Sequence, residues 1–159
     1  MHELEGNYKD KDGDCSVKIE GGEPYLLLNL ELFHKLMGNI TGPHCDFMYV
    51  IFKKDKFIVF IVELKNIKHI KSLEELLDKT IQKFQNSLHI AKQHLLKTFN
   101  VREADYRAIL VLSLTGPERI QALLRHFKGK FRKLKKHGFT YSWITACNCS
   151  IWKPMIKLF

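Results

Sequence analysis

The chain has 159 residues, 45% apolar and 27% charged, which fits one globular domain with a substantial core and excludes a low-complexity or repeat protein. No apolar run approaches the roughly 20 residues needed to cross a membrane, and the polar, acidic start (Met1–Asp14) does not resemble a secretory signal, so a soluble, cytoplasmic protein with free thiols is expected. The net charge is +9, and residues 101–159, with 12 Lys/Arg against 3 Asp/Glu, carry all of the excess. A localised basic surface favours polyanions through counterion release, and its bland alternative is a solvated face that aids solubility.

Taken in chain order, residues 1–14 read as a mobile or loosely attached start. Cys15–Glu20 alternates weakly, as a short strand does, and stops at Gly21-Gly22. Leu26–Met37 is apolar at 26, 27, 30, 33, 36 and 37, which predicts a helix ending at Gly38-Asn39. Thr41–His44 is a turn. Asp46–Phe52 and Phe57–Lys65 flank the polar segment Lys53–Lys56 and predict a hairpin. Both strands are apolar on both sides, which calls for helices above and below the sheet.

Ser72-Leu-Glu-Glu75 reads as a capping box opening a long helix, whose stripe Leu73, Leu76, Leu77, Ile81, Phe84, Leu88, Ala91 and Leu95 runs to about Phe99. Tyr106–Leu114 is a strand. Pro117 starts a basic helix that runs to about Lys136 and ends at Gly138. Phe139–Ile151 reads as a last strand. Cys147 and Cys149 would share one face of it, too far apart at about 6.6 Å for an unstrained disulfide. The expected domain spans 1–159, is α/β, and has a mixed central sheet flanked by helices, with residues 117–159 as its basic part.

The hairpin carries the sharpest inference. With the turn centred between Lys54 and Asp55, opposed residues sum to 109, so Asp46 faces Glu63, Met48 faces Ile61 and Val50 faces Val59. Opposed residues share a face, with Cβ atoms about 5 Å apart. Lys65, two residues beyond Glu63, shares it too, while Leu64 points the other way. Two acids and a lysine thus converge at the end of an apolar strand pair. Opposed like charges destabilise a sheet, and a divalent cation would relieve them. Magnesium takes one or two carboxylates plus phosphate oxygens and activates water, and Lys65 could orient that water or neutralise developing charge. The competing reading is that Asp46 merely opens one strand and Glu63 with Lys65 closes another. A register slip of one residue would separate the two acids.

Gly42-Pro-His-Cys-Asp46 followed by Val62-Glu-Leu-Lys65 resembles the PD-(D/E)XK nuclease superfamily, with a leaning toward its RecB-like and Holliday-junction-resolvase-like members. Cys45 stands where the family's proline normally precedes the first acid. The resemblance covers about residues 26–115 and implies a restriction-endonuclease-like αβββαβ core. It implies catalysis by Asp46, Glu63 and Lys65, and Mg2+ or Mn2+ held by Asp46, Glu63 and the Leu64 backbone carbonyl. It further suggests support from Glu31 or His34 on the preceding helix and from Gln82 or Gln85 on the following one. Resolvase-type relatives commonly dimerise, which would make a homodimer.

The basic helix gathers Arg119, Arg125, Lys128, Lys130, Arg132, Lys133, Lys135 and Lys136, with Phe127, Phe131 and Leu134 as its packing side. Arg125, Lys128, Lys130, Arg132 and Lys133 are the expected backbone-phosphate contacts. Membrane-surface binding is the rival for such a helix, without an exposed Trp or Leu face to support it. The eight histidines show no zinc spacing. The expected activity is metal-dependent hydrolysis of phosphodiester bonds, with DNA favoured over RNA. The alternative is a non-catalytic nucleic-acid-binding module with a relic site.

Overall fold

Unbroken apolar runs from Phe47 onward form a hairpin that anchors a computed structural model describing residues 2–4, 17–19, 26–38, 42–53, 56–67, 73–98, 100, 103–114, 117–146, 149–150 and 156–157. In chain order its elements are β1 (His2–Leu4), β2 (Val17–Ile19), β3 (Leu26–Asn29), α1 (Leu30–Met37), β4 (Phe47–Lys53), β5 (Lys56–Ile67) and α2 (Leu73–Ile90). A π-helical segment (Ala91–Leu95) continues into α3 (Leu96–Thr98), and β6 (Ala104–Leu114), α4 (Pro117–Lys136), β7 (Tyr141–Ala146), β8 (Cys149–Ser150) and β9 (Ile156–Lys157) complete the chain.

Six strands form the main sheet in the order β3-β4-β5-β6-β7-β9. The β3/β4, β4/β5 and β7/β9 pairs are antiparallel, and β5/β6 and β6/β7 are parallel. A second sheet joins β1, β2 and β8. The β4/β5 register is the one the sequence predicts: every pair from Phe47↔Val62 to Lys53↔Lys56 sums to 109. With only two residues between the paired Lys53 and Lys56, the short connection leaves that register little freedom.

Several expectations need correction. Leu26–Met37 is not one helix. Leu26, Leu27 and Leu28 pair with β4 as an edge strand, and the helix begins only at Leu30. Asn29 marks the boundary, its Oδ1 accepting the Leu32 N–H at 3.0 Å as an N-cap does. Gly38, at φ 64°, closes α1 as expected. Within the supposedly loose start, His2–Leu4 pairs with β2. The expected last strand, Phe139–Ile151, is two pieces among the described residues: β7 belongs to the main sheet and β8 pairs with β2, while β9, beyond that range, adds a further main-sheet strand. Among the described residues the chain order of the main-sheet strands and the longer helices is β-α-β-β-α-β-α-β-β, with a strand ahead of α1, not the expected αβββαβ. The capping residue Ser72, the turn residues Lys54 and Asp55, and Cys15 and Cys147 lie outside the described residues.

Two cores lie on the two faces of the sheet. One joins Met48, Val50, Val59 and Ile61 to Leu77, Ile81, Phe84 and Leu88 of α2 and to Phe127, Phe131 and Leu134 of α4. Phe84, Phe131 and Phe139 meet edge-on within it, and truncating any of them to Ala would cost about 3–5 kcal/mol. The other core contains Phe47, Tyr49, Ile58, Phe60, Val62, Leu64, Ile109 and Val111, and no described helix contributes to it. Helices above and below were expected, yet α2 and α4 share one face. The reason is handedness: β5-α2-β6 and β6-α4-β7 step across the sheet in the same direction, and right-handed crossovers then put both helices on the same side.

Candidate active site

The site forms where β4 begins and β5 approaches its end. Asp46 sits one residue ahead of β4, outside the regular ladder. Its N–H donates to Val62 O at 3.1 Å, while its carbonyl accepts the Leu30 N–H at 3.0 Å. Within a regular strand both groups of one residue point to the same neighbour, so the chain twists here as it does at a β-bulge. The twist frees the side chain to lie along β5, where Asp46 Oδ2 accepts the Leu64 N–H at 2.6 Å. Asp46 therefore grips β5 at Val62 and Leu64, the two residues flanking Glu63. The expected direct opposition of Asp46 and Glu63 becomes a flanking one, with Asp46 bonded to the residues on either side of Glu63.

Glu63 is only 1% exposed, on the sheet face that α2 covers, and Leu64 points into the opposite core. Glu63 Oε1 accepts Lys83 Nζ at 2.6 Å and Lys65 Nζ at 3.3 Å. Its other oxygen, Oε2, is buried without a hydrogen-bond partner among the described residues. The two lysine side chains are 22% (Lys65) and 26% (Lys83) exposed, so their heads reach the rim while their stems pack inward. Burial alone would lower the Lys83 pKa. The charge and hydrogen bond of Glu63, followed by the charge of Asp46, outweigh it and hold the ammonium above the usual lysine value.

Two α2 residues fasten the segment that delivers Asp46, and a third holds Glu63. Ser87 Oγ accepts the Cys45 N–H at 2.8 Å, Asn86 Nδ2 donates to Pro43 O at 2.8 Å, and Lys83 holds Glu63. Spaced at i, i+3 and i+4, they form one stripe of the helix. Cys45, fully buried between them and the acids, has its thiol pKa pushed well up by burial first and by the Glu63 charge next, so it stays protonated. The spacing of 83, 86 and 87 was the available signal, but α2 residues at that spacing gain meaning only once the helix is docked.

The proposed supporting residues are placed differently. Glu31 pairs with Lys35 one turn on, both well exposed, so it is a surface helix residue. Gln82 is exposed, and among the described residues Gln85 makes no hydrogen bond to the acids. The polar contacts of α2 come from Lys83, Asn86 and Ser87 instead. His34 turns inward, its ring 5.1 Å from that of His44, two residues ahead of Asp46.

On α4, Arg125, Lys128, Arg132 and Lys133 are exposed on its outer side, as expected. Lys130 is not available in the same way, because its Nζ pairs with Asp78 of α2 at 2.9 Å and ties the two helices together. α2 lies between α4 and the acids, following the strand order β4-β5-β6-β7.

The donor set suits a hard divalent cation. Asp46 Oδ2 sits on the N–H of Leu64, the residue after Glu63, the charges of both acids act on Lys83, and a buried Glu63 oxygen has no hydrogen-bond partner among the described residues. Even residues of β5 direct their backbone groups toward β4, as the Leu64 N–H does, so the Leu64 carbonyl belongs to the same edge. No group of three or more His, Cys, Asp or Glu side chains converges among the described residues, so a zinc-type cage is not built there. Magnesium needs only one or two carboxylates. No helix among the described residues is long and apolar enough to cross a membrane. Compared with family models, with curated proteins and with solved structures, the chain matches none.

Proposed function

We propose that the chain is a divalent-metal-dependent nuclease of the PD-(D/E)XK kind that hydrolyses phosphodiester bonds, with DNA the favoured substrate. The observation that carries this reading is the convergence of Asp46, Glu63 and Lys65 at the end of the β4/β5 pair. Asp46, Glu63 and the Leu64 carbonyl would hold Mg2+ or Mn2+. When bound, the cation would supply Lewis-acid stabilisation of the charge developing on phosphorus. Lys65, at the rim, orients the attacking water and offsets charge on the phosphate oxygens. Water oxygen bonds to phosphorus and gives up a proton to solvent, the bond to the departing sugar oxygen breaks, and that oxygen takes a proton from solvent. The exposed cations of α4 would track the nucleic-acid backbone beside the site.

A second reading has its own support. Lys83 and Lys65 already neutralise Glu63, so the acid pair is tolerable without a metal. A relic site would look the same, leaving a nucleic-acid-binding module that uses α4.

Cleavage of branched, single- and double-stranded DNA in Mg2+ or Mn2+, by wild type, Glu63→Gln and Lys65→Ala, separates the two. The nuclease reading expects metal-dependent cutting, lowered about 100-fold or more by either substitution. DNA binding without cutting in either metal establishes the second reading.

A further inference from the structure

We propose that Lys83 is a displaceable internal counter-ion: its ammonium occupies Glu63 when no metal is bound and must leave when a divalent cation enters, so the site is gated by exchange of one cation for another. The inference deepens the metal-dependent reading above and rests on it.

Glu63 is buried, and a buried carboxylate without a partner is strongly disfavoured. The closest contact to it comes from α2 and not from its own strand, since Lys83 Nζ is 2.6 Å from Oε1 and Lys65 Nζ is 3.3 Å away. A small cation binding Asp46 and Glu63 together would stand within contact distance of that same ammonium. Two positive charges cannot share the position without repulsion in a poorly solvated site.

Lys83 can yield without any backbone change. It is about a quarter exposed and ends a four-carbon stem that starts on α2, so its head can swing to water along the helix edge. The backbone that carries the acids stays fixed meanwhile, because Asn86 and Ser87 hold segment 43–45 and the Leu64 N–H holds Asp46. The result is a rigid acid pair with one movable plug. Without metal, the plug prevents the two acids from repelling each other. With metal, its departure leaves an extra ammonium at the rim, where a phosphate would lie.

The test is calorimetric titration of Mn2+ into the full chain at fixed pH and salt, for wild type, Lys83→Met, Lys83→Gln and Glu63→Gln, with thermal unfolding in EDTA and in Mn2+. Competition between two cations is a negative coupling, typically about 5–150-fold, and about tenfold tighter Mn2+ binding is expected for both Lys83 variants. Both should melt below wild type in EDTA and recover with Mn2+. The Gln variant keeps a hydrogen bond to Glu63 without the charge, so it supplies the affinity comparison if the Met variant folds poorly. A purely structural lysine would move affinity the other way, because its loss would loosen the site. Binding by the Lys83 variants but not by wild type supports the proposal in its strongest form. Equal affinities for wild type and Lys83 variants, with binding lost in Glu63→Gln, overturn the proposal and leave the metal reading standing. Absence of Mn2+ binding in every chain overturns both.

Discussion

Asp46 Oδ2 accepts the backbone N–H of Leu64 at 2.6 Å, so a side chain completes the ladder at the point where β4 has not yet begun. One residue thereby presents a carboxylate beside Glu63 and satisfies a backbone donor of the central hairpin. The two roles can be separated. Asp46→Ala removes the acceptor and should cost about 1–3 kcal/mol in urea denaturation. Asp46→Asn keeps an oxygen for Leu64 and should cost less, yet lose metal-dependent cleavage about as fully. If Asn and Ala variants are equally destabilised, the hydrogen bond assigned to Leu64 is not what the side chain contributes.

Gly42 is placed by two independent constraints. Its φ of 94° lies in the left-handed region, and a Cβ there would stand 2.9 Å from Asn86 Nδ2. Gly42→Ala should push Asn86 off the Pro43 carbonyl and strain the turn that delivers Asp46, at about 1–2 kcal/mol. A melting temperature equal to that of wild type would contradict this.

Away from the site, Asp105 is 8% exposed and engaged by Arg107 Nη2 at 2.8 Å, with Lys56 Nζ 3.8 Å away. Burial works to raise its pKa, but a hydrogen bond from Thr140, the Arg107 contact and the Lys56 charge together hold it below the ordinary carboxylate value. A depressed folded-state pKa means stability that is fully present above the unfolded value, about 3.9, and lost as pH falls through the folded one. Urea midpoints of wild type and Asp105→Asn should therefore differ by a constant amount above about pH 5 and converge below about pH 4. A gap that persists undiminished to pH 2.5 would show that packing, not charge, makes the difference. Arg107 also lies over the Phe60, Tyr141 and Trp143 rings, at 5.2–5.7 Å, and that interaction does not titrate with Asp105.

The outer side of α4 should act through charge alone. Lys128→Glu, Arg132→Glu and Lys133→Glu, each exposed, should leave stability within about 0.5 kcal/mol of wild type. Each should weaken DNA binding across sequences and lower the salt slope of the affinity by about 0.9 for every phosphate that is no longer neutralised. Lys130→Ala should behave differently, with a loss of about 0.2–1 kcal/mol through Asp78 and little change in the slope. Unchanged slopes in all three reversal variants would rule out α4 as the nucleic-acid surface.

Much of the hairpin was legible because strand periodicity and turn length are local. A two-residue connection between two unbroken apolar runs leaves a single register, and all seven pairs obey it. The Leu26–Met37 segment shows the limit. Its spacing fits a helix, yet Leu26–Leu28 pair with β4, because a neighbouring strand offers backbone hydrogen bonds that a propensity pattern does not reveal. Glu31 failed as a supporting residue for the same reason, since the true start of α1 turns that side chain to solvent beside Lys35.

By itself the sequence determined the hairpin register, the grouping of two acids with Lys65, and the concentration of positive charge in the last third, all consequences of short-range spacing and composition. Only the tertiary structure decided that Lys83, 20 residues from Glu63, is its closest partner, and that Asn86 and Ser87 hold the chain ahead of Asp46. Those interactions depend on which face of the sheet α2 covers and how far along it lies. Crossover handedness and core packing set both, and neither leaves a local mark on the residues concerned.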